Sequence, residues 1–236
     1  GIAGADQASR PRPQALGWID RTIPTWWLAA AFTALALVFV LTAQPNHYVV
    51  DNLFAWFWRP TAVLRSWQSP WDSQGGLGAA RPDFSPVFVG AMAIVRSLGA
   101  SPAIAERLAH AALLMTAALG AVHVVRLFVP RVRAFHAIVG LLYMVNPYSV
   151  TFVLPSALFL NYALAPWFVY VVVRGVRERS RWRWAAWFAL LVFAAGLSNV
   201  PGLGWALLPL LPALAYVIWI ERNARARDVV AFFAQA

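Results

Sequence analysis

Residues 26–60 read WWLAAAFTALALVFVLTAQPNHYVVDNLFAWFWRP, and the fold is decided by how this stretch is divided. Trp26 to Ala43 carries no charge and is long enough to cross a bilayer core of about 30 Å, for which roughly 20 helical residues serve and about 17 suffice. The chain then leaves that run and at once places an acid, Asp51, ahead of Phe54, Trp56, Phe57 and Trp58. A soluble loop does not spend large aromatics in this way, whereas a segment lying along a membrane does, because indole rings favour the headgroup boundary. Asp51 to Trp67 therefore reads as two short juxtamembrane helices broken at Pro60, with Trp56, Trp58 and Trp67 at headgroup level.

The rest of the composition agrees. Hydrophobic residues make up 61% of the 236, charged residues only 12%, and the mean hydropathy is positive, which places the chain among integral membrane proteins. The formal charge of +10 comes from arginines set between apolar runs, not gathered on one basic face. Anionic lipid headgroups fit that pattern, and no nucleic-acid partner is expected. The absence of cysteine excludes disulfides and thiolate metal sites.

Five further stretches have the length of a span, at about 105–125, 134–154, 157–173, 184–200 and 203–220. Phe84 to Val95 does not, since 12 helical residues rise only about 18 Å, so an interfacial or re-entrant segment is expected there. The arginines test this choice, because short Arg-rich loops stay cytoplasmic. If 84–95 does not cross, 14 of the 19 arginines fall inside, in the N-terminal segment and around 126–133, 174–183 and 222–227. If it crosses, the last three groups move outside.

The first arrangement gives an all-α membrane protein with about six spans and both ends in the cytoplasm. Residues 1–22 form a cytoplasmic segment without a signal-peptide cleavage site, 23–220 a transmembrane domain with an external loop over 44–105, and 221–236 a cytoplasmic linker. The closing DVVAFFAQA reads as the first turns of another segment, so a longer chain is expected.

The external charges concentrate in that one loop: Arg59, Arg65, Arg81, Arg96 and Arg107 with Asp51, Asp72, Asp83 and Glu106. A guanidinium pairs bidentately with phosphate, so the group suits an anionic headgroup; singly, each Arg is better read as snorkelling or as one half of a surface ion pair with the four acids. Asp51 has two readings of its own, as a reactive carboxylate or as a helix N-cap. His47, His110, His123 and His136 lack metal-ligand spacing and read as packing residues. No phosphate-binding loop, nucleophile elbow, zinc or dinucleotide motif occurs.

This arrangement resembles the GT-C glycosyltransferases, and more specifically the membrane part of the actinobacterial arabinofuranosyltransferase D (AftD) family. The likeness is carried by Asp51 after the first span, SWQSPWDSQGGLG at 66–78, Glu106-Arg107-Leu108 opening a span, and LAPW at 164–167. It implies an enzyme of the plasma membrane that transfers arabinofuranose from decaprenyl-phosphate arabinofuranose to a cell-wall arabinan or related glycan at the external face, with inversion. It implies Asp51 as general base, Arg107, Arg81, Arg59 and Arg96 around the donor phosphate, and Trp67, Trp71, Asp72 and Asn161 around the sugars. No metal or other cofactor is expected. Family members place an acid shortly before LAPW where this chain has Asn161, so a carboxylate role is not carried over there. A lipid-linked-sugar flippase and a non-catalytic scaffold are the rival readings. The near absence of ionisable residues within the spans from 108 to 220 counts against the flippase.

Overall fold

The structure, a computed structural model, describes residues 22–42, 54–68, 71–72, 79–80, 85–147, 149, 158–178, 181–196, 200–221 and 226–236. It is an all-helical bundle built around α5 (Pro102–Arg126). Ser101 caps that helix by accepting the Ile104 amide at 3.3 Å, and Pro102 occupies its first turn, where a missing N–H costs nothing. Its 25 residues rise roughly 37 Å, enough to cross a bilayer with some tilt.

Against α5 pack α1 (Thr25–Leu41), α6 (Ala134–Met144) and α7 (Leu158–Arg177), and α8 (Arg181–Ala195) covers the far side of α7. Small residues allow the close approach. A Cβ on Gly120 would sit 2.8 Å from Nε1 of Trp167, and that indole donates to the Thr116 carbonyl at 2.8 Å.

The ends of the helices sort into two groups. Ile23 N–H donates to Val132 at 3.0 Å, setting the start of α1 beside the start of α6. Arg177 at the end of α7 donates to the Leu127 carbonyl at the end of α5 (3.0 Å) and to Glu221 (2.5 Å). One end of the bundle therefore gathers Arg126, Arg131, Arg133, Arg174, Arg177 and Arg183, as alternating spans require.

Among the described residues three helical stretches are long and apolar enough to cross a membrane: Pro102–Arg126, Phe159–Arg177 and Gly202–Ile220. The other expected spans, α1, α6 and α8, are shorter apolar helices. The expected span 134–154 stops being an α-helix at Met144. Pro147 has no N–H for the Tyr143 carbonyl, and Asn146 and Ser149 bond each other's backbone (Ser149 N–H to Asn146 Oδ1, 2.9 Å), an alternative that competes with the helix. The span expected at 203–220 comes in pieces, α9 (Val200–Leu207), α10 (Leu210–Ala215) and a π-helical turn (Tyr216–Ile220), with Pro209 between the first two. The last helix, α11 (Ala226–Phe233), folds back on α7 and α8 and buries Phe232 completely.

A reciprocal lock joins α6 to α7. A Tyr-x-x-x-Pro runs past the end of α6, at Tyr143–Pro147, and another lies within α7, at Tyr162–Pro166, and in each the proline leaves the tyrosine's own carbonyl without a helical donor. Each tyrosine hydroxyl fills the other's vacancy, Tyr143 donating to the Tyr162 carbonyl at 3.0 Å and Tyr162 to that of Tyr143 at 2.5 Å. The two rings stack at 4.6 Å.

Candidate active site

At the end of the bundle opposite the arginines lies a layer of short helices, α2 (Phe54–Trp58), α3 (Pro60–Ser66) and α4 (Pro86–Ser97). The expected break between the first two is present: Arg59 leaves helical geometry and Pro60 starts α3, which needs no N–H at that position. The 12-residue α4 also matches the short segment expected at 84–95, and it is held by Ser85, fully buried, which donates to the Ala194 carbonyl of α8 at 3.3 Å. A turn closed by Gly99, at φ +93°, then feeds α5; only glycine adopts that geometry without strain.

The layer is seated on α5 by aromatic contacts. Trp56 is 2% exposed, edge-on to Trp67 at 6.1 Å and tilted against Phe88 at 5.7 Å. Phe57 meets Phe88 edge-on at 6.0 Å and lies nearly parallel to His110 of α5 at 6.3 Å. The His110 ring is itself stacked on Phe159 of α7 at 5.3 Å. Met92, Ala105 and Ala109 form the apolar floor beneath.

The polar side chains expected around a donor phosphate do not behave alike. Arg107 is half-buried in the second turn of α5, beside the buried Glu106. Arg59 is exposed between α2 and α3. Arg96 turns one terminal nitrogen to the Ala100 carbonyl, closing the α4–α5 turn, and its Nε is buried without a hydrogen-bond partner. Of the residues expected around the sugars, Trp67 belongs to the aromatic layer, and Trp71 and Asp72 pair antiparallel with Ala80 and Ala79 in a two-residue ladder. Asn161, in the first turn of α7, is 3% exposed and its Oδ1 has no hydrogen-bond partner. Asp51, Arg81, Asp83 and His47 lie outside the described residues.

Two residues at this end were not among those expected to form the site. Trp56 was read only as a membrane-level aromatic, yet its buried indole N–H has no acceptor. His110 was read as a packing residue, which it is, but its packing joins α2 to α7. Nothing in the spacing of a lone histidine signals that placement.

A buried donor and a buried acceptor left open carry a real cost, about 1–3 kcal/mol each, and such groups in a folded protein call for water or a ligand. By contrast, a groove of about 250 Å³ lined by Ala121, Val125, Val139, Tyr143, Pro166 and Pro209 offers almost no polar surface, so hydrocarbon is what it can hold. Among the described residues no three His, Asp, Glu or Cys side chains come together as a metal site.

No family model matches the chain, and no curated protein does. Among solved structures it is similar to arabinofuranosyltransferase AftD from mycobacteria, determined in a mutant form by single-particle cryo-EM, with a TM-score of 0.72 over 91% of this chain. The two share a fold. Sequence identity is 22%, and the chain spans 17% of the length of that AftD chain, so the likeness extends to one part of a much larger molecule.

Proposed function

We propose that the chain is the membrane part of a glycosyltransferase that moves arabinofuranose from a polyprenyl-phosphate donor to a cell-wall glycan at the external face of the plasma membrane. The observation that carries this reading is the fold shared with AftD over 91% of the chain. The position of the α2–α4 layer, at the end away from the arginines, supports an external site.

The chemistry asks little of the protein beyond placement. An acceptor hydroxyl oxygen attacks the anomeric carbon, the bond from that carbon to the phosphate oxygen breaks, and the configuration inverts. The leaving group is a phosphate anion that needs little protonation, so one carboxylate suffices where a glycoside hydrolase uses two. Asp51 takes the hydroxyl proton as the sugar becomes oxocarbenium-like. Arg107, with Arg59, Arg81 and Arg96 nearby in sequence or on the same layer, stabilises the departing phosphate. Trp67, Trp71, Asp72 and Asn161 serve the sugars, and the reaction as written calls for no metal or other cofactor.

The test uses the intact protein in sealed vesicles, supplied with decaprenyl-phosphate arabinofuranose and an arabinan acceptor. Transfer of arabinose is expected, and its absence with both substrates bound would sink the reading. In cells, cysteines placed at Gly75 and Ser198 should react with an impermeant reagent from outside, and those at Ser180 and Asn223 should not. External reaction at Ser180 would reverse the topology.

A further inference from the structure

A five-residue helix has no stability of its own, because the first turn costs more than it returns, so α2 is oriented only by what it packs on. Trp56 anchors it to α3 and α4, both of which belong to the same layer. Phe57 ties it to the long helices by packing on His110, and His110 continues to Phe159 at the start of α7. The three rings form one stack, inclined by 28° and 26° at its two junctions. One residue back from Phe57, on one side of the stack, is the buried, open indole N–H of Trp56, and two residues on from Phe159, on the other, is the buried, open Oδ1 of Asn161.

We propose that His110 is a positioning residue that sets the spacing between α2 and α7, and so between the open indole N–H of Trp56 and the open amide oxygen of Asn161 on the two sides of the site. This rests on the glycosyltransferase reading for its effect on rate, though not for its effect on geometry. A flat ring of limited thickness is what the role requires. Offset stacking favours it on both faces, and the imidazole adds a polar edge that a phenyl ring lacks.

Three variants of the intact protein test this. With His110→Ala the stack has a gap, and kcat for transfer should fall on the order of 10- to 100-fold, the scale of an ångström-level misplacement, while KM for the lipid-linked donor changes little. His110→Phe keeps a flat ring and should restore kcat to within a few-fold of the parent. His110→Leu fills volume without flatness, and it should be as slow as the alanine variant; it also serves if that variant does not fold. Full activity in His110→Ala would overturn the proposal. So would a His110→Phe variant as slow as His110→Ala, since the imidazole would then be acting chemically and not as a spacer.

Geometry is read separately, by nitroxide labels at two exposed positions, Trp58→Cys in α2 and Trp205→Cys in α9, which packs on α7. The distance distribution should broaden or shift in His110→Ala and stay as in the parent in His110→Phe. An unchanged distribution in His110→Ala refutes the spacing role whatever the activity. A shifted distribution in a protein that transfers no sugar from the donor refutes the enzymatic reading and leaves the spacing role standing.

Discussion

The two ends of the bundle treat polar groups in opposite ways. At the arginine-rich end, Glu178 accepts from Arg174 at 2.6 Å and from the Trp184 indole at 2.5 Å, and Glu221 accepts from Arg177 at 2.5 Å. Leftovers exist there, the Nε of Arg174 and Arg177 and Nδ1 of His123, but on side chains whose other atoms or ring faces are engaged. At the opposite end Arg59 and Arg65 are exposed, and Trp56 and Asn161 each bury a polar atom that meets nothing. Pairs closed within the bundle hold a fold together. Groups left open at a rim where the chain sets its juxtamembrane layer are those a ligand can satisfy.

Asp51→Asn is the variant expected to show the largest effect. Asn caps a helix about as well as Asp, so a purely structural Asp51 predicts near silence. Loss of a general base costs about 10²–10⁴-fold, and transfer by the intact enzyme should fall at least about 100-fold with expression and donor binding kept. A fully active variant would make Asp51 a cap and move the search for a base to Asp72 or Asp83.

Arg177→Ala should do the reverse at the other end. Its side chain is 19% exposed and that of Glu221 17%, so removing the cation takes a charge partner from a mostly buried acid and a donor from the Leu127 carbonyl. A loss of about 2–3 kcal/mol is expected, seen as a lower denaturation midpoint in detergent, while turnover per folded molecule is unchanged. Lost turnover at unchanged stability would erase the division between the two ends.

What the sequence disclosed follows the same division. Short-range chemistry was legible: Pro60 marks the α2–α3 break because proline is tolerated in a first helical turn, and α4 is as short as the apolar run that Asp83 and Arg96 bracket in the sequence, its end set by Gly99. The arginine spacing foretold which helix ends gather. Less legible was the length of α6. The apolar run continues to 154, but Asn146, Pro147 and Ser149 offer the backbone another set of bonds, and in this contest local polar chemistry outweighed hydropathy. The closing helix was read as the start of a further segment; that its Phe232 fills space a side chain at Gly175 would occupy is a fit between residues 57 apart in sequence that no local pattern encodes. The site was legible as a set of residue types confined to one loop. Which of them come together was not, because that depends on contacts such as Phe57 with His110 and His110 with Phe159, across separate elements.

The smallest effect concerns the lock between α6 and α7, whose Tyr162 directly follows Asn161. Tyr143→Phe keeps the stacked ring and removes one hydroxyl, so the Tyr162 carbonyl, already denied a helical donor by Pro166, loses the hydrogen bond from that hydroxyl. In water-soluble cores an open acceptor costs about 1–3 kcal/mol, but interhelical hydrogen bonds in membranes average about 0.6, because the unfolded chain in lipid also finds partners. About 1 kcal/mol is therefore expected for Tyr143→Phe. Tyr162→Phe should cost less, since the Tyr143 carbonyl keeps the Asn146 side-chain amide at 3.0 Å. The two bonds share one ring stack, and the double variant should deviate from the sum of the single effects, as groups in direct contact do. Strict additivity would mean that each hydroxyl merely fills a separate vacancy. Coupling would show a single element, and a transfer rate that falls with it would extend the open end of the bundle down to the level of the lock.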